Sequence, residues 1–217
     1  MEERINALLF DEKLQLFRSG LENDATPCPE PPTLHDQVLA ILNGLRPEAH
    51  PVMIRERLLP FLRNESCPFA TPSSFWCSYL FDAAKQTGLR KETLAFLRRN
   101  WKRMIPSGGT WEHFQWDRYD GQSCCHAWSA HPASHLPELL TGIHQLEPGW
   151  RRFSCSPATD LLPESGEIRI PLPQGIFRMV WDSRTEISLE IPDGCLCETP
   201  SGIIRNQSVI QNNQEES

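Results

Sequence analysis

One window of the chain, from Gly108 to His135, concentrates the side chains able to do chemistry: Trp111, Glu112, His113, Trp116, Asp117, Asp120, His126, Trp128, His131 and His135. Indole rings beside acids and imidazoles suit a sugar. A pyranose stacks its C–H face on indole and offers a rim of hydroxyls to carboxylate and imidazole. A metal site competes on the same residues, because His131 and His135 stand four apart and Cys124, Cys125 and His126 lie close by. Pro132 falls between the two histidines, however, and no third or fourth ligand has a customary spacing, so no metal is expected. Ser123, His126 and Asp120 have the residue types of a nucleophilic triad but no strand–turn–helix elbow to hold them. Gly-rich phosphate loops, GxSxG and HExxH are all lacking, and no cofactor is expected.

Helices must position this window. Ile5, Leu8, Leu9, Leu16 and Phe17 fit one helical face, and Leu34, Val38, Ile41, Leu42 and Leu45 fit a second, capped by Thr33. A third helix is predicted from Val52 to about Arg63, and a fourth from Ser73 to Thr87 with Gly88 as its stop. The fifth carries Leu94, Leu97, Trp101 and Met104 on one face and Lys91, Arg98, Arg99 and Lys102 on the other, which reads as a solvated face. Gly108 and Gly109 then let the chain turn before Trp111 and Glu112. A sixth helical stretch is predicted from about Cys124 to Ile143, bent by Pro132 and Pro137.

From Trp150 the period changes to two. Ile168, Ile170 and Leu172, then Phe177, Met179 and Trp181, then Ile187, Leu189 and Ile191 mark three strands, with turns at Pro173-Gln174-Gly175 and Asp182-Ser183-Arg184. Beyond Arg205 the polar composition reads as a frayed tail. The predicted units are residues 1–146, helical hairpins; 147–199, a small β unit; and 200–217, a flexible tail.

Composition narrows the function. The 217 residues are 39% hydrophobic and 23% charged, enough to build a core, and the formal net charge of -7 opposes binding to phosphate backbones or anionic lipid. Neither nucleic acid nor membrane is an expected partner. No apolar run spans a bilayer, the mean hydropathy is -0.43, and the acidic start Met1-Glu2-Glu3 lacks the basic and apolar regions of a signal peptide. Eight cysteines without paired CxxC spacing read as reduced thiols, which gives a cytoplasmic expectation.

The motifs resemble one family. Thr110-Trp111-Glu112-His113-Phe114, then Ser123-Cys124-Cys125-His126-Ala127-Trp128-Ser129-Ala130 and Leu140-Thr141-Gly142-Ile143, are similar to the late catalytic-domain signature of bacterial α-L-rhamnosidases and their six-hairpin glycosidase relatives. His35-Asp36-Gln37-Val38-Leu39-Ala40, Ala70-Thr71-Pro72 and Pro148-Gly149-Trp150-Arg151-Arg152-Phe153 extend the likeness over most of the chain. The resemblance implies a partial (α/α)6 toroid of helical hairpins followed by a small antiparallel β-sandwich, with an open apolar flank and no strand before residue 100.

It also implies inverting hydrolysis of terminal α-L-rhamnosyl bonds. Inversion needs two carboxyl groups, one protonating the leaving oxygen and one activating water. By the resemblance Glu112 matches the general base, His126 a sugar-contacting histidine, and Trp111 and Trp128 wall residues. The family's general acid belongs to an acidic motif in its first hairpins, and nothing like that motif occurs here. Three readings remain: a piece of a longer enzyme, a chain that works with a missing N-terminal segment or partner chain, or a noncatalytic carbohydrate-binding or interaction remnant.

Overall fold

A computed structural model of the chain describes residues 1–23, 26–115, 122–182, 186–205 and 207–211, the last as backbone only. Trp116, Asp117, Asp120, the turn residues Ser183 and Arg184 and the end of the tail lie outside the described residues. The fold is mixed, mostly helical in its first part and mostly sheet in its second, and it divides into two compact units, Met1–Pro132 and Ala133–Ser217.

The first unit opens with α1 (Glu2–Leu9), and there the expected long first helix fails. Phe10–Asp11 (β1) pairs antiparallel with Leu16–Phe17 (β2), so a short hairpin does precede residue 100. Asp11 causes the turn: its Oδ1 accepts the backbone N–H groups of Lys13 and Leu14, both at 3.0 Å, and Gln15 adopts φ 57°. These local bonds compete with helix propagation. Tertiary contact then locks the strand. The buried Gln37 amide accepts from Phe17 N and donates to Phe17 O, each at 2.8 Å.

The next helices fall where their signals place them, but the third is split by a π-helical stretch and the fourth starts at Cys77, four residues after Ser73. α2 (Leu34–Leu42) starts at a capping box in which Asp36 N donates to Thr33 Oγ1 and Thr33 N donates to Asp36. α3 (His50–Met53) and α4 (Leu59–Leu62) are joined through a π-helical stretch, Ile54–Leu58. Pro60 has no N–H to give to the turn before it, which is a physical reason for that wider stretch. α5 (Cys77–Gln86) begins after a turn in which Ser73 Oγ accepts Trp76 N. Gly88, at φ 76°, ends it before α6 (Arg90–Trp101). The core runs through Leu34, Val38, Met53, Leu58, Leu62, Leu80, Phe81, Phe96 and Trp101. Lys91, Arg98, Arg99 and Lys102 are solvent-exposed, and Arg99 reaches back to the Leu62 carbonyl at 2.7 Å.

The expected sixth helix starts later than its hydrophobic pattern implied. Cys124 to His126 is not helical; a 3-10 turn spans Ala127–Ala130, and α7 covers Pro132–Thr141. Pro132 opens that helix, where a missing N–H costs nothing.

In the second unit, β5 (Ser165–Leu172), β6 (Gly175–Asp182) and β7 (Glu186–Glu190) form an antiparallel meander at the three positions where the period was two. Phe177, Met179 and Trp181 point inward in alternation. Gly166 pairs with Trp181, and a Cβ there would stand 2.3 Å from the indole, so only glycine admits the ring. A second sheet joins β3 (His144–Gln145), β4 (Arg152–Ser154), β8 (Leu196–Thr199) and β9 (Gly202–Ile204), and contains one parallel pair, β4 with β8. Composition placed residues beyond 200 in a tail; instead β9 pairs with β8, and β10 (Gln207–Gln211) pairs along β7. Backbone pairing needs no apolar side chains, which is why composition missed it.

Candidate functional site

The loop after α6 folds back on itself. Glu112 N donates to Ser123 O (3.0 Å) and His126 N donates to Thr110 O (2.7 Å), two antiparallel rungs that join residues 110–112 to residues 123–126. Glu112 returns the contact through its side chain, since Oε2 accepts Ser123 N at 3.2 Å. Among the described residues Glu112 makes no ion pair, and it is half-buried.

Buried hydroxyls hold this hairpin to the helices. Ser74, fully buried, donates to the Glu112 carbonyl at 2.7 Å, also touches the Trp111 carbonyl, and lies 3.1 Å from the buried Ser129 hydroxyl. The Trp101 indole N–H donates to Ser129 O (2.8 Å), and Thr110 Oγ1 donates to His126 O (2.6 Å). Each strand of the hairpin is therefore tied both to its partner and to the core. A buried polar group left unpaired would be costly, so these contacts specify one arrangement.

An aromatic face accompanies it. Trp128 is 68% exposed, its ring 5.5 Å from His126 and 5.4 Å from Phe75, and Phe75 lies 6.2 Å from His126. The next residue, Trp76, meets His35 edge-on at 4.4 Å and Tyr79 at 5.3 Å. Burial lowers the pKa of His35, with Asp36 opposing, which favours an uncharged ring there.

Trp111 takes the opposite side from the one a wall residue needs. It is 6% exposed in the core, with its indole N–H on Ser107 Oγ (2.8 Å) and its backbone N–H on Met104 Sδ (3.4 Å). Trp128 is the exposed indole of the pair. The sequence motifs give Phe75 and Ser74 no role, and Ser129 enters them only as part of the Cys-His-Ala-Trp-Ser run. The one sequence signal for Phe75 was its place in the aromatic run entering α5.

No three His, Cys, Asp or Glu side chains cluster among the described residues, and His131 Nε2 sits 3.0 Å from Ser74 O. Ser123 Oγ accepts Cys125 N at 3.3 Å, while Asp120 lies outside the described residues. Among the described residues no helix is long and apolar enough to cross a membrane.

With this geometry the chain is similar to the α-L-rhamnosidase of Aspergillus terreus, at a TM-score of 0.69 and 16% identity, over 91% of this chain and 26% of that one. The fold is similar to part of the α-L-rhamnosidase fold. The α-L-rhamnosidase of Dictyoglumus thermophilum gives a TM-score of 0.69 at 15% identity, over 91% of this chain and 22% of that one. The Streptomyces avermitilis α-L-rhamnosidase, complexed with L-rhamnose, gives 0.55 at 17% identity, over 83% and 19%. This chain thus spans between 19% and 26% of the length of these α-L-rhamnosidases. No protein-family model matches the sequence, and no curated protein matches it.

Proposed function

We propose that the chain is an α-L-rhamnosidase-type glycoside hydrolase chain that holds the base side of an inverting site. The observation that carries this reading is the hairpin pairing Glu112 with Ser123 and Thr110 with His126, beside the exposed Trp128. In this reading Glu112 is the general base, drawing a proton from the attacking water. His126 and Trp128 bind the terminal L-rhamnosyl unit, the indole stacking on its apolar face. Trp111 serves from below, as the buried anchor that keeps Glu112 at the lip of the loop. Ser123 orients the carboxylate through its backbone N–H.

The helical unit is read as part of an (α/α)6 toroid and the strands as part of a β-sandwich, with the general acid supplied from outside the chain by an N-terminal segment or a partner. A base without its acid forfeits about 10² to 10⁴-fold in rate. The second reading, a noncatalytic carbohydrate-binding remnant, is favoured by the same missing acid. One experiment separates them: an aryl α-L-rhamnoside assay beside calorimetric titration with L-rhamnose, on this chain and on a full-length α-L-rhamnosidase. Turnover by this chain supports the enzyme, and binding without turnover supports the remnant. Neither turnover nor binding in a folded sample would overturn both.

A further inference from the structure

The two rungs of the hairpin are unevenly spaced. Thr110 to Glu112 is two steps along one strand, while Ser123 to His126 is three along the other. The second strand therefore carries one extra residue, and Cys124 and Cys125 together oppose the single residue Trp111, as in a β-bulge. Trp111 faces the core, whereas both cysteines are exposed and free. The other cysteines differ: Cys28 and Cys67 are partly buried, and Cys77, Cys155, Cys195 and Cys197 are buried. The backbone of the pair packs closely against Gly109, where an added Cβ would stand 2.6 Å from Cys124 O.

We propose that Cys124 and Cys125 form a thiol-modification site that closes reversibly into a disulfide between neighbouring residues, with a low-molecular-weight disulfide such as oxidised glutathione as oxidant. The thiolate of one cysteine attacks oxidised glutathione, forming a mixed disulfide and expelling one glutathione thiolate. The neighbouring cysteine then gives up its proton and attacks the protein-side sulfur, expelling the second. Two cysteine thiols lose two electrons and two protons; one glutathione disulfide becomes two glutathione thiols.

Adjacent Cα atoms lie about 3.8 Å apart across a trans peptide, below the usual disulfide range of roughly 4.4–6.8 Å. The closed ring therefore demands a backbone change and is easily reduced, the behaviour of labile, regulatory disulfides. That change falls between Ser123, whose N–H holds Glu112 Oε2, and His126, whose N–H is on Thr110 O. Closure thus disturbs both rungs and weakens sugar binding. This last consequence rests on the carbohydrate reading above; the thiol chemistry does not.

The full chain is treated with oxidised glutathione and read by intact mass and peptide mapping. The peptide containing Cys124 and Cys125 is expected to lose two hydrogens, retain no glutathione, and recover on treatment with dithiothreitol. A Cys124→Ser variant should instead keep one glutathione on Cys125. Wild-type chain that retains glutathione on either residue, or stays unreacted while Cys67 is modified, would overturn the site. In a parallel titration, closure should weaken L-rhamnose binding at least about fivefold. Unchanged binding by the closed form overturns the coupling. If the reduced chain binds no rhamnose, the function proposed above fails, and the mass result alone decides the thiol site.

Discussion

Glu112 and Ser123 bind each other twice: the backbone N–H of Glu112 donates to the Ser123 carbonyl at 3.0 Å, and the Glu112 carboxylate accepts the Ser123 N–H at 3.2 Å. The second contact needs only an acceptor oxygen, which an amide also supplies. Glu112→Gln should therefore leave the thermal midpoint and L-rhamnose affinity close to wild type. In a complex or full-length context that supplies the acid, it should cut aryl rhamnoside turnover by about 10² to 10⁴-fold, because an amide cannot take the water's proton. A parallel drop in binding would point to a positioning role instead.

Trp128 is the exposed ring of the site, so its loss should be felt in binding more than in folding. Trp128→Ala should weaken L-rhamnose binding measured by calorimetry while the urea midpoint moves little. A large stability loss with unchanged affinity would remove Trp128 from the sugar site.

Ser74 ties α5's entry to the hairpin over 38 positions of sequence. Ser74→Ala removes the hydroxyl from a fully buried position and takes away the donor to the Glu112 carbonyl. The expected cost is about 1–3 kcal/mol in urea unfolding. Cysteine or threonine at this position should not restore it fully, because the donor must reach the same point in a packed core. A cost near zero would show that water replaces the hydroxyl.

Gln37 satisfies both backbone groups of Phe17 from 20 residues away. Gln37→Leu keeps the bulk but strands a buried N–H and C=O, so a loss of about 2 kcal/mol is expected, with early amide exchange at Phe17. Uniform exchange across the unit would contradict a hairpin held by this one side chain.

Acid should loosen the meander before full unfolding. Arg178 at 2.7 Å, assisted by Arg169, holds the Glu167 carboxyl at about 2 instead of 4.5. A depressed folded pKa means the unfolded chain binds the proton more readily. This contribution is thus complete above about pH 4.5 and lost as pH falls toward about 2. Glu167→Gln should flatten the pH dependence of unfolding in that window. The side chains stay at least partly exposed to solvent, so the change will be modest.

What could be read without coordinates was governed by neighbours within a turn or a strand. Thr33 and Asp36 mark the start of α2 because a cap and its partner lie three residues apart. Phe177, Met179 and Trp181 mark β6 because alternation is itself the geometry of a strand. Glu112, His126 and Trp128 could be named from their residue types and motifs, as could the change from helix to strand.

Only the tertiary structure decided the rest, and the reason is distance along the chain. Leu16 and Phe17 fit a helical period, yet Asp11 turns the chain before them and Gln37 claims Phe17 as strand. Trp111 and Trp128 are the same residue type in one window; the hairpin and the Ser74 and Ser107 contacts send the first into the core and leave the second exposed. The extra residue opposite Trp111, which turns Cys124 and Cys125 outward together, exists only once Glu112 meets Ser123 and Thr110 meets His126. No local pattern encodes such a register, because it is set by which distant backbone groups find one another when the core closes.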